Sequence, residues 1–104
     1  MTEKIQLSKV EKSLLLYLET RAVDYGGLVD ISRMNEEDMS IAEQWNKSSF
    51  IKFGRVKIQY HNRDGTHWCK LSPEAFRLAH AERIARCERI WLSKKWLPTE
   101  DSIE

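Results

Sequence analysis

No stretch of this 104-residue chain stays apolar for long. The longest cluster runs from Leu14 to Leu18, far short of the ~18 residues a membrane-crossing helix needs. No membrane association is therefore expected. The opening Met1-Thr2-Glu3-Lys4 carries no apolar run of the kind that directs secretion, and a cytoplasmic location is the expectation. Cysteine is scarce: Cys69 and Cys87 lack C-x-x-C spacing and read as idle thiols in a reducing compartment rather than as a disulfide. Nothing resembles a glycine-rich phosphate loop, since Gly26-Gly27 reads as a helix stop. Neither cysteine stands in a Cys-His-acid arrangement, so no enzyme is expected. His61, His67 and Cys69 supply three candidate metal ligands but no fourth at tetrahedral spacing, so neither metal nor cofactor is expected. Proline- or serine-rich linkers are also missing, which fits one domain built on one core.

What the chain has is charge of both signs, unevenly placed. Residues 1–50 hold six Lys and Arg against nine Asp and Glu, whereas residues 51–97 hold eleven against four. An acidic front and a basic rear fit contact with phosphate or with an acidic protein. They fit a self-complementary dimer surface equally well.

Local patterns give the order of elements. Ser8-Lys9-Val10-Glu11 forms a capping box, followed by Val10, Leu14, Tyr17 and Leu18 on one helical face. Leu28-Val29 suits a one-bridge strand. Asp30 caps a single turn through Ile31-Ser32-Arg33, and Asn35 caps a helix that begins with three acids at its positive dipole end. Met39, Ala42, Trp45 and Phe50 are expected to face the core from that helix, with Glu37, Ser40, Gln44, Lys47 and Ser48 outward. Val56, Ile58 and Tyr60 then alternate with Arg55, Lys57 and Gln59, predicting a strand with the apolar set inward. Ile51 and Phe53 lie in the opposite phase, which places a bulge or bend at Gly54. His61-Asn62-Arg63-Asp64-Gly65 is turn chemistry, and Thr66 to Leu71 returns as a second strand with Cys69 and Leu71 inward and Trp68 and Lys70 outward. Ser72 caps a last helix with Pro73 in its first position, a Leu71–Phe76 staple, and room to run to about Trp96 before Pro98. His80 falls on the apolar side of this helix and reads as a packed core histidine. Its distal half is expected to project beyond the core. Leu78, Ile84, Ala85, Trp91 and Leu92 recur at near-heptad spacing and predict a homodimer interface. Arg77, Arg83, Arg86, Arg89, Lys94 and Lys95 of the same helix read as a solvated face with pairs such as Glu82–Arg86.

Helix, short helix, helix, β-ribbon, helix resembles the winged helix-turn-helix superfamily over roughly Leu7 to Trp96. The fold class implied is α+β, mainly α, with a small two- to three-stranded wing and a long C-terminal helix. The domain would span 1–97, including the helix 72–97, with 98–104 as a short acidic tail. The resemblance implies a small DNA-binding protein, a transcriptional regulator or accessory protein, acting on double-stranded DNA. In such proteins the helix from Asn35 would be the recognition helix, and the ribbon tip near Arg63 would touch backbone or minor groove. Ser40, Gln44 and Lys47 on the helix and Arg55, Lys57, Arg63 and Lys70 on the ribbon are the candidate DNA contacts. Two features depart from the pattern: Glu36, Glu37 and Asp38 at the recognition-helix N-terminus would repel phosphate, and the preceding helix is barely one turn. The rival reading is a protein-interaction module in which those acids, with Glu43, or exposed aromatics dock a partner protein.

Overall fold

The computed structural model describes residues 6–63 and 65–93. Its helices start where side chains cap them. Ser8 accepts from the Glu11 amide while Glu11 accepts from the Ser8 amide, opening α1 (Lys9–Asp24). Gly26 and Gly27 adopt φ of +63° and +91°, and the Gly27 amide donates to the Arg21 carbonyl, which ends the helix. The short strand β1 (Leu28–Val29) leads to a 3-10 turn at Ile31–Arg33, capped by Asp30. Asn35 and Asp38 cap each other's amides at the start of α2 (Glu36–Ser48). Strands β2 (Ile51–Arg55) and β3 (His67–Leu71) form the ribbon, and Ser72 caps α3 (Pro73–Ser93) by accepting from the Ala75 amide. The result is α+β and mainly helical, as expected, with an antiparallel sheet in the order β1-β3-β2. Among the described residues no helix is long and apolar enough to cross a membrane.

One face of the sheet is buried. Leu14, Leu15 and Leu18 of α1, with Ala42 and Trp45 of α2, cluster with Val29, Ile51, Phe53, Cys69 and Leu71. Val10, expected on the buried stripe of α1, is exposed, and the stripe is centred on Leu15 and Leu18 instead. Ala75 and Ala79 are fully enclosed, so the first turns of α3 press close to this core. Two polar side chains tie β1 to α1. The Tyr17 hydroxyl accepts from the Asp30 amide and donates to its carbonyl, and Arg21 Nε donates 2.8 Å to the Leu28 carbonyl.

The ribbon departs from the predicted alternation. β2 ends at Arg55, opposite His67 where β3 begins, and among the described residues no strand pairs with residues 58–60. Ile58–Tyr60 forms a 3-10 turn instead, and Ile58 and Tyr60 are exposed rather than inward. Ile51 and Phe53 are the true inward pair. Gly54 carries no bulge: the register passes through Gly54 opposite Trp68 without interruption.

α3 runs antiparallel along α1; its core residues are Ala75, Leu78 and Ala79, and its distal half lies beyond the core cluster with residues 87–93 exposed. Arg83 pairs with Glu19 and donates to Thr20 Oγ1 and the Leu16 carbonyl, and Arg86 donates to Ser13 Oγ. At the centre sits Glu82, buried, accepting from Arg86 (2.9 Å) and Arg89 (3.0 Å) with Lys12 at 3.8 Å. His80 is exposed, not packed in the core, because it lies on the side of α3 away from α1. The expected helix beyond Ser93 with Lys94, Lys95 and Trp96, the acidic tail 98–104, Asp64 of the turn and residues 1–5 lie outside the described residues.

Two outcomes follow from this packing. A Cβ on Gly65 would sit 2.3 Å from the Val29 carbonyl oxygen, where the ribbon returns against β1. Gly65→Ala should therefore lower stability by about 1–3 kcal/mol, read as a lower urea midpoint; an unchanged midpoint would refute the close approach. Hydrogen bonding from Arg86, aided by Arg89 and Lys12, holds the Glu82 carboxyl below the usual glutamate range. A folded pKa below the unfolded one means a contribution that is complete above the unfolded value and lost as pH falls through the folded value. The stability advantage of the wild type over Glu82→Gln should accordingly shrink as pH drops below about 4.3, the ordinary glutamate value. Parallel stability curves from pH 7 to pH 3 would count against it.

Candidate nucleic-acid interface

Between Gln44 and Pro73 the chain has six cations, Lys47, Lys52, Arg55, Lys57, Arg63 and Lys70, and one acid, Asp64. All six cations are exposed. Among the described residues none of them meets a carboxylate in a salt bridge. The inward register of Ile51 and Phe53 turns Lys52 outward, directly opposite Lys70 on β3. Like charges in that relation destabilise an antiparallel pair, so the sheet carries this pair at a cost. Lys52 Nζ donates to Ser49 Oγ at 3.3 Å. Arg55 belongs to the other face, beyond the end of the core, opposite His67. Burial, then the nearby Arg55 charge and His61, hold the His67 imidazole below its usual value. Its ring stacks on Phe53 with centroids 5.5 Å apart. Lys57 precedes the 3-10 turn and Arg63 sits in the turn that follows. The ribbon thus has cations on both faces and at its tip.

The cations of α3 are differently placed. Arg77, Arg83 and Arg89 are exposed, as expected, but Arg83 pairs across to Glu19 of α1, and Arg86 and Arg89 pair with Glu82 on their own helix, Arg86 also reaching Ser13 of α1. The Glu82–Arg86 pair expected within the helix is present.

On α2, Ser40, Gln44 and Lys47 fall on one exposed stripe at i, i+4 and i+7. Glu36, Glu37 and Glu43 border the same stripe and are also exposed. Three carboxylates against one lysine make this a surface that repels phosphate at its N-terminal end. The candidate contacts therefore divide: the ribbon set lies in one basic region, and the helix set lies beside acids.

The remaining candidates are separated by the fold. Cys69 is buried, with its Sγ directed at the Leu18 carbonyl at 3.6 Å, and burial pushes its thiol up to about 11. Among the described residues no three His, Cys, Asp or Glu side chains gather as a metal would require. Of the five residues predicted at a dimer interface, Leu78 packs against the core and Ala85 is half-buried. Leu78, Ala85 and Leu92 follow one seven-residue line, and Ile84 and Trp91 follow another. The six-residue step from Leu78 to Ile84 turns about 600°, two-thirds of a turn past the starting face. Ile84, Trp91 and Leu92 are exposed.

Three features of the site escape the sequence reading. Lys52 is findable once Ile51 and Phe53 are taken as the inward pair. Trp68 is expected outward, yet nothing in the pattern shows that it stands on an uncovered sheet face. The neutralisation of Arg83 has no local signal, because Glu19 lies on another helix. No family model matches the chain, and neither the curated proteins nor the solved structures give a match.

Proposed function

We propose that the protein is a small winged-helix-like DNA-binding protein, a transcriptional regulator or accessory factor, that holds duplex DNA through its β-ribbon. The order α1, β1, turn, α2, β2, β3, α3 with sheet order β1-β3-β2 is compatible with that fold. The observation that carries the reading is the ribbon's run of exposed cations with no carboxylate partner among the described residues. A two-stranded ribbon fits the major groove of B-DNA, and cations on both of its faces meet phosphates on both groove walls. Lys57 and Arg63 at the tip would take backbone contacts. Such contacts give affinity and position without selecting sequence. The acid-capped start of α2 is kept off the phosphates in this arrangement, so the ribbon and not the helix is the principal contact.

A second reading has its own observation. Glu36, Glu37 and Glu43 form an exposed acidic strip on α2 that a basic protein surface would match. In the DNA-binding reading the same strip faces away from the duplex and is open to a protein partner. The assembly proposed is a homodimer through the outer side of α3, where Ile84 and Trp91 expose apolar surface.

Fluorescence anisotropy with a labelled duplex at several salt concentrations tests the ribbon. Arg63→Ala and Lys57→Ala should each weaken binding across sequences and reduce the salt slope by about 0.9 for each phosphate that the variant leaves un-neutralised. Unchanged affinity in both variants would overturn the ribbon contact, and no binding at low salt would leave the protein-docking reading in its place. For the assembly, Trp91→Ala should shift sedimentation equilibrium toward monomer. A wild-type chain that stays monomeric at high concentration would dispose of the dimer.

A further inference from the structure

The sheet has one face that no helix of the described residues covers, and it is not built like an ordinary solvated face. Its outward positions are Leu28 on β1, Lys52 and Gly54 on β2, and Trp68 and Lys70 on β3. None is acidic. Trp68 lies on the central strand between Leu28 and Gly54 and is 40% exposed. A Cβ on Gly54 would sit 2.8 to 3.0 Å from the indole atoms Cζ2, Cε2 and Nε1. The indole therefore occupies space over β2 that a side chain at 54 would fill, and any other residue there would displace it. Lys70 follows Trp68 by two residues on the same face, about 7 Å along the strand. Lys52 stands directly across from Lys70.

An aromatic ring held on a sheet surface with cations at one side is suited to a flat apolar group attached to an anion. An unpaired nucleotide is such a group: its base stacks on the ring, and its phosphate meets the ammonium groups. A paired base offers no free face, because its neighbours in the duplex already stack on it. Charge complementarity also favours this occupant over a hydrophobic partner, since docking an apolar surface here would bury Lys52 and Lys70 without carboxylates.

We propose that the outer sheet face is a binding site for single-stranded nucleic acid, with Trp68 stacking an unpaired base and Lys52 and Lys70 holding the adjoining phosphates. The site rests on the reading of the ribbon as a nucleic-acid contact and extends it. Lys52 and Lys70 cannot serve both strands at once: with this face on an unpaired strand, the duplex is held by Arg55 of the other face and by Lys57 and Arg63 at the tip. The ligand is then a junction between double-stranded and single-stranded segments.

The test compares three fluorescein-labelled probes at low salt: an oligothymidine, an abasic strand of the same length, and a blunt duplex. The full chain should bind oligothymidine at least about fivefold more tightly than the abasic strand, the lower end of what one stacked base contributes. Trp68→Ala should abolish that difference while leaving the duplex affinity in place, and Trp68→Phe should keep part of it. Lys52→Glu and Lys70→Glu, both at exposed positions, should weaken oligothymidine and abasic strand alike. Photo-crosslinking of a bromouracil-substituted oligonucleotide to the wild type gives a readout independent of how the variants fold, and the adduct should map to Trp68. Equal affinity for oligothymidine and abasic strand, or an adduct elsewhere, with duplex binding intact would overturn the stacking site and leave the ribbon reading standing. Failure to bind any of the three probes would overturn both.

Discussion

Among the described residues only one face of the three-stranded sheet is covered, with α1 over β1 and β3 and α2 over β2. Leu15 and Leu18 are completely enclosed against Val29, Ile51 and the strands beside them. Each such side chain contributes about 1.5–3 kcal/mol by leaving water. The rest of the architecture depends on this contact. β1 has two residues and no stability of its own, and it persists because Tyr17 and Arg21 of α1 hydrogen-bond to the backbone at Asp30 and Leu28. β3 can then pair on both sides, which fixes β2 in register. The edge of β2 is closed by the Asn46 side chain, whose carbonyl accepts from the Phe53 amide at 3.1 Å.

The division of charge also follows from where the core lies. The second half of the chain is basic by sequence, but its cations belong to two populations. Arg83, Arg86 and Arg89 of α3 meet carboxylates on α1 or on their own helix and serve as cohesion, whereas Arg77 is exposed. Those of the ribbon stand on the part of the molecule that the core does not reach, with a single acid within the same stretch of sequence. Net charge hides this partition, since the chain as a whole is at +1.

Features decided by a few neighbouring residues are legible in the sequence. The capping serines at 8 and 72, the Asn35 cap, the glycine stop and the outward direction of Ser40, Gln44 and Lys47 all depend on contacts within one turn. Features decided by a distant partner are not. The alternation of Val56, Ile58 and Tyr60 is a sound strand pattern, yet a strand needs another opposite it, and β3 begins too late to provide one. Gly54 reads as a break in its own strand, when the feature that requires a glycine there is the indole of Trp68. Glu82 has the spacing of one member of an exposed helical pair. Its burial comes from Lys12 and the flank of α1, seventy residues earlier in the chain. For the candidate site, the ribbon cations are legible as residue types; that no described carboxylate pairs with them required the fold.

The latch between α1 and α3 has a consequence for how the molecule is made. Arg83 reaches back 64 residues to Glu19, and Arg86 reaches back 73 to Ser13. Closing so long a loop is slow compared with forming the helices it joins. During synthesis α1 leaves the ribosome first and waits, with the flank around Leu16 bare, until α3 has emerged. The nascent chain is then most exposed to chaperones and to sticking partners over that interval. Because the latch is built from ion pairs and hydroxyl contacts at the rim of the helix pair, while Ala75 and Ala79 hold the start of α3 in the core, the latch is the part of the α1–α3 contact that salt weakens most.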